Sequence, residues 1–178
     1  SNGRSAIANG ASTQAAAKVG TTTGWSGQDA SELYEVARWG NGYFAVNDQG
    51  HVEVHPTKDP AKAIDLKELV DRLQLRGISL PVLIRFTDIL KHRLGDIHAA
   101  FQAAIHQHQY QGKYSCVYPI KVNQQRQVVE EVLHFGKPFG FGLEAGSKPE
   151  LLAVVAVADN DTPIICNGFK DAEFIGTA

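Results

Sequence analysis

The sequence has no apolar run approaching the roughly 20 residues that a membrane-spanning helix needs. It also has no basic excess, because 17 Lys and Arg stand against 19 Asp and Glu, so nothing in the charge favours a nucleic-acid partner. The only two cysteines, Cys116 and Cys166, stand in apolar stretches, which is typical of free, buried thiols in a reducing compartment. We therefore expect neither membrane nor nucleic acid as a partner, and a cytoplasmic location.

Two catalytic patterns are missing as well. The sequence contains no GxGxxG or GxxxxGK run and no serine with the glycine flanks of a nucleophile elbow, so nucleotide binding and serine hydrolysis lose most of their support. The histidines do not suggest a metal site, since His106 and His108 would face different directions on a helix, and His51 and His55 belong to a polar strand face. We predict solvated histidines and no metal ligands.

The chain divides into three predicted parts. Residues 1–20 hold small side chains and no acidic residue, which predicts a disordered tail, with a transit-type leader as the alternative. Residues 21–80 contain a predicted β-hairpin at 42–55, with turn residues between two alternating apolar runs, and then a helical connector that Asp65 caps and Gly77 ends.

Residues 81–178 alternate short apolar runs with helical periods. Four βα units follow one another, and their predicted strands lie in VLIRF, YSCVYPIKVN, FGFGLEAGS and PIICNGF. Strands separated by helices run parallel and are buried on both faces, so we predict the parallel α/β class. An eight-unit barrel needs about 250 residues. We therefore expect the segment 81–178 to be a partial barrel, truncated at its carboxyl end.

Reactive groups of parallel α/β folds lie at the carboxyl ends of the strands. Lys121 interrupts the second predicted strand among apolar neighbours, and burial would favour the neutral amine that attacks an aldehyde carbon. The alternative is a lysine that extends from the strand end to solvent. Glu144 is predicted at the end of the next strand, either facing the barrel mouth beside Lys121 or as an ordinary loop carboxylate. The helix that follows it is predicted to be capped reciprocally by Ser147 and Glu150.

The run YPIKVNQQRQVVEEVLHFGKPFGFGLEAGSKPELLAV closely resembles the biosynthetic arginine decarboxylases. The upstream run WGNGYFAVNDQGHVEVHP and the downstream run ICNGFKDAEFI extend this resemblance to about residues 25–178. It implies the first half of a (β/α)8 alanine-racemase-like barrel that binds pyridoxal 5'-phosphate. The hairpin would belong with a β-rich second domain.

The resemblance also implies an activity, the conversion of L-arginine to agmatine and CO₂ in polyamine biosynthesis. Lys121 would hold the cofactor as an internal aldimine, and Glu144 would lie near that cofactor. Magnesium and a homo-oligomer are expected from the family only. Because the phosphate loop and substrate groups of the family are not in this sequence, we expect the 178 residues alone to be inactive.

Two alternatives remain open from the residues. One is a non-catalytic or regulatory module that binds pyridoxal phosphate, and the other is a related decarboxylase that acts on ornithine or diaminopimelate. The segments that would separate them are not part of the sequence.

Overall fold

Two three-stranded sheets organise residues 24–178, which are the residues that this computed structural model describes. The predicted tail at 1–20 lies outside the described residues. The first elements are two short helices, α1 at Gly27–Leu33 and α2 at Val36–Gly40, which the sequence reading did not anticipate. Ser26 caps α1, because its side chain and that of Asp29 each accept a hydrogen bond from the other's backbone N–H.

The first sheet is antiparallel and contains strands β1 at Phe44–Val46, β2 at Val52–Val54 and β3 at Ile64–Asp65. The pair β1 and β2 occupies the segment where the sequence predicts a hairpin. Its turn is closed by backbone hydrogen bonds from Asn47 to His51 and from Gly50 to Asn47, both 2.9 Å long. The third strand was missed, because two residues are too few to make an alternating pattern.

Asp65 joins this sheet to the connector helix α3, Leu66–Leu75. Its carboxylate accepts the backbone N–H of Glu68 at 3.0 Å and lies 2.8 Å from Nδ1 of His51, and Gly77 follows the helix at φ +82°. The predicted cap and end of the helix are therefore confirmed. The prediction of solvated histidines is wrong for His51 and also for His55, which is buried 3.1 Å from a Glu53 carboxylate oxygen.

The second sheet is parallel, with the order β4-β5-β6, and a helix follows each strand. The predicted parallel α/β class is confirmed. In chain order the elements are α4 Thr87–Gln107, β4 Val117–Pro119, α5 Arg126–Gly136, β5 Gly142–Ala145, α6 Lys148–Val157, β6 Ile164–Cys166 and α7 Ala172–Thr177. None of the helices in the described part of the chain is both long and apolar enough to cross a bilayer.

The strand predicted in VLIRF is wrong. Residues 82–86 form no strand and have no sheet partner among the described residues, and Leu83 is 74% exposed. An apolar run becomes a strand only where a neighbouring strand satisfies its N–H and C=O groups, and β4 is the edge of this sheet. Cys116 and Cys166 are free, as predicted, but half-buried rather than buried.

The core of the parallel half lies between the central strand β5 and the helices beside it. Leu143 and Ala145 of β5 are fully buried and pack with residues of four neighbouring elements. Those partners are Ile120, Val129, Leu151, Val154 and Phe174.

Two adjacent valines of α6 allow a matched test of this core. Val154 is fully buried and Val155 is 53% exposed. Val154→Ala should lower the free energy of unfolding by about 2 kcal/mol, because it removes two buried methyl groups and leaves a cavity in their place. Val155→Ala should change it by less than about 0.5 kcal/mol. Chemical denaturation of both variants measures the difference, and equal losses would contradict this description of the core.

Asp65 predicts a pH dependence. The backbone N–H of Glu68, with His51 and Asn47, lowers the pKa of Asp65 from 3.8 to about 2. A carboxyl whose pKa is lower in the folded state stabilises the fold above its unfolded pKa and loses that contribution as the pH falls through the folded value. The parent chain should therefore have a higher denaturation midpoint than Asp65→Asn at neutral pH. The two midpoints should converge as the pH falls from 3.8 to about 2. A separation that did not depend on pH would contradict this role.

Candidate active site at the carboxyl edge of the parallel sheet

The carboxyl ends of β4, β5 and β6 meet at one edge of the parallel sheet. Pro119 lies opposite Glu144, and Ala145 lies opposite Cys166. At Pro119, β4 ends and the chain turns into a single 3₁₀ turn, Ile120–Val122. The strand predicted to continue through Lys121 and Val122 is therefore shorter than expected, because proline offers no N–H to continue the ladder.

Lys121 lies in this 3₁₀ turn and is exposed. Ile120 anchors the turn in the core at 3% exposure, and the hydroxyl of Tyr118 donates to the carbonyl of Asn123 at 3.1 Å across it. Burial raises the pKa of Tyr118 above its ordinary value. The expectation of a buried Lys121 within a strand is wrong in the described chain. Its position just past the strand end, facing solvent, matches the alternative.

Glu144 is the last residue but one of β5, near the strand end where it is predicted, and it is only 5% exposed. Side chains alternate along a strand, so Glu144 points away from the face on which Leu143 and Ala145 enter the core. Its Oε1 atom is buried and has no hydrogen-bond partner in the described structure. The reading of Glu144 as an ordinary loop carboxylate is therefore wrong. A buried carboxylate oxygen without a donor is costly, and such groups concentrate at functional sites.

One cavity of about 340 Å³ brings these two residues together. The structure thus places Lys121 and Glu144 in the walls of the same space, although they come from different strand ends. The remaining lining residues come from the loops after β5 and β6 and from the first turn of α6. They are Gly146, Glu150, Asn167 and Gly168.

Glu150 has a different partner from the one that the sequence predicts. The side chain of Ser147 accepts the N–H of Glu150 at 3.4 Å, which is one half of a capping box. The carboxylate of Glu150, however, accepts the N–H of Gly146 instead of that of Ser147. This places a second carboxylate in the cavity. The spacing of Ser147 and Glu150 indicated the cap, but sequence reasoning missed Glu150 and Asn167 as cavity residues.

Residues 94–178 match the family model described as the pyridoxal binding domain of pyridoxal-dependent decarboxylases. This part of the chain is therefore similar to the pyridoxal-dependent decarboxylase family. The match covers β4, β5 and β6, and with them the cavity.

The curated relatives are named biosynthetic arginine decarboxylases, and the chain is homologous to them. It is 56% identical to that of Rhodopirellula baltica and 54% identical to that of Gloeobacter violaceus, each over 86% of this chain. A crystal structure of the biosynthetic arginine decarboxylase of Campylobacter jejuni aligns with 80% of this chain at a TM-score of 0.73 and 35% identity. The chain spans about a quarter of the length of these proteins.

The cavity fits one end of pyridoxal phosphate. An exposed amine on Lys121 can reach an aldehyde carbon, and the partnerless Oε1 of Glu144 can accept a hydrogen bond from a bound group. The phosphate end does not fit here, because two of the lining side chains, Glu144 and Glu150, are carboxylates. The phosphate of the cofactor would have to lie outside this set of residues.

Glu144→Gln tests whether the buried carboxylate is kept at the expense of stability. In the chain without cofactor, this variant should raise the free energy of unfolding by about 1 kcal/mol, because a neutral amide is less costly to bury than a partnerless carboxylate. Glu131→Gln, a half-buried carboxylate on α5, is the control and should change it little. Urea denaturation measures both, and a loss of stability in Glu144→Gln would show that the carboxylate has a favourable partner.

Proposed function

We propose that this chain is part of a pyridoxal-phosphate-dependent arginine decarboxylase, which converts L-arginine to agmatine and CO₂ for polyamine synthesis. The observation that carries the proposal is the pairing, in one cavity at the carboxyl edge of the sheet, of an exposed lysine amine with a buried, partnerless carboxylate. The names of the homologues supply the reaction and the substrate. The cavity residues supply the place where the cofactor would attach.

Lys121 is the residue that would attach the cofactor covalently. Lys121 lines the cavity from a turn that is fixed on both sides, by buried Ile120 and by the hydrogen bond between Tyr118 and Asn123. A fixed backbone limits the positions that the flexible side chain can take. This favours repeated release and recapture of the same aldehyde carbon by one amine.

Glu144 would act on charge in the same cavity. Its carboxylate sits in a poorly solvated position, where its interaction with a positive group is stronger than at the surface. Its Oε1 atom would accept a hydrogen bond from an N–H or O–H group of a bound molecule. The negative charge would stabilise a positive charge that forms near the Lys121 amine. When bound, pyridoxal phosphate supplies an electron-accepting ring that takes up the electron pair left by departing CO₂.

The larger assembly is part of the same proposal. We infer that β4, β5 and β6 belong to the first half of a (β/α)8 barrel and that the β1–β3 sheet joins a β-rich second domain, as the resemblance implies. Residues 21–80 and 81–178 would then be separate units. A homo-oligomer and magnesium are further expectations. Among residues 24–178 no group of three or more potential metal ligands is present, so no magnesium ligand is assigned.

The decisive experiment is chemical trapping. The 178-residue chain is incubated with pyridoxal phosphate, reduced with borohydride and mapped by peptide mass spectrometry. We expect one dominant pyridoxyl adduct on Lys121. It should be lost in Lys121→Ala and kept in Lys113→Ala, which removes another exposed lysine.

The same samples are assayed for CO₂ release from arginine. An adduct on Lys121 without CO₂ release is the expected result, because the chain spans about a quarter of its relatives. Labelling scattered over many lysines would contradict the assignment of Lys121.

A further inference from the structure

The three strands behave differently beyond their carboxyl ends. The chain leaves the sheet after Pro119, where the 3₁₀ turn begins. The loops after β5 and β6 instead stay together, because the N–H of Asn167 donates to the carbonyl of Ala145 at 2.8 Å. The cavity therefore opens between the turn that carries Lys121 and the loops after β5 and β6. We call these two connected loops, with Gly146, Asn167 and Gly168, the closed wall.

Gly168 makes the closed wall possible. Its φ is +75°, a left-handed conformation that side chains disfavour, and a Cβ atom placed on it would lie 2.5 Å from the carbonyl oxygen of Gly146. That oxygen belongs to backbone, which cannot move aside as the end of a flexible side chain can. Gly146 is also held through its N–H by Glu150, so a displacement would be passed to a second cavity residue.

An ion-pair group lies behind the same two loops. Lys148 Nζ, at the start of α6, is 2.8 Å from a carboxylate oxygen of Asp171 and 2.7 Å from one of Glu173, at the start of α7. The hydrogen bonds that Lys148 donates to the carboxylates of Asp171 and Glu173 raise the pKa of Lys148. The pairs are largely exposed and contribute little to stability, and they connect the start of α6 to the start of α7.

We propose that Gly168 is a positioning residue of the cofactor cavity. The lack of a side chain lets the β6 loop contact the Gly146 carbonyl, and this contact sets the wall that faces Lys121. The inference rests on the proposed function, because it concerns the same cavity. A shift of about 1 Å in such a wall is enough to lower the efficiency of a site about 100-fold.

Gly168→Ala and Gly140→Ala form a matched pair. Both glycines have positive φ, +75° and +69°, but a Cβ on Gly140 meets nothing within 4 Å. Both variants therefore carry the same kind of backbone strain, and only Gly168→Ala displaces Gly146. We expect the dissociation constant for pyridoxal phosphate, from absorbance titration, to rise at least about 10-fold in Gly168→Ala and less than about 3-fold in Gly140→Ala.

The outcomes separate the two proposals. If the parent chain forms no adduct on Lys121, the assignment of Lys121 as the cofactor lysine in the proposed function fails. If the parent is labelled and Gly168→Ala binds as tightly as Gly140→Ala, or both weaken equally, the positioning role is overturned.

If Gly168→Ala does not fold by circular dichroism, Lys148→Met replaces it, with Lys67→Met as control, since Lys67 forms an exposed ion pair with Asp71 on α3. Weaker cofactor binding in Lys148→Met, at an unchanged melting temperature, would support the role of the closed wall. Equal binding in the two lysine variants would overturn it.

Discussion

The parallel ladder of β4, β5 and β6, and the point at which proline ends one side of it, is the constraint on which the site depends. The register sets Pro119 against Glu144. β4 ends at Pro119, where the chain turns away and carries Lys121 off the sheet, while the loops after β5 and β6 stay in contact at Gly146 and Gly168. The gap between these two paths is the cavity.

The alternation of β5 links stability to the site. Leu143 and Ala145 are fully buried on the face that packs against the helices, and this packing fixes the strand. The intervening Glu144 is thereby held on the other face, where Oε1 has no partner. A group of this kind costs stability unless a ligand supplies the missing donor. The packing of Leu143 and Ala145 thus offsets the cost of burying Glu144 Oε1 without a hydrogen-bond donor.

Sequence patterns predicted the elements that local chemistry decides. The cap at Asp65, the helix end at Gly77 and the alternation of strands and helices after residue 110 follow from short-range rules. Sequence patterns failed where pairing with another strand decides whether a strand forms. The segment VLIRF is the example, because no neighbouring strand pairs with it. Lys121 and Glu144 were both predicted as site residues, but the sequence left open whether Lys121 is buried or exposed and whether Glu144 is a loop carboxylate. Glu150 and Gly168 were missed, because their contacts join residues that no periodic pattern connects.

A crystal structure of the chain with pyridoxal phosphate tests the central claim most directly. The account predicts continuous electron density between Nζ of Lys121 and the aldehyde carbon of the cofactor. It also predicts that Oε1 of Glu144, partnerless in the described chain, gains a hydrogen bond. A cofactor attached to another lysine, or one bound outside the cavity of Lys121 and Glu144, would contradict it.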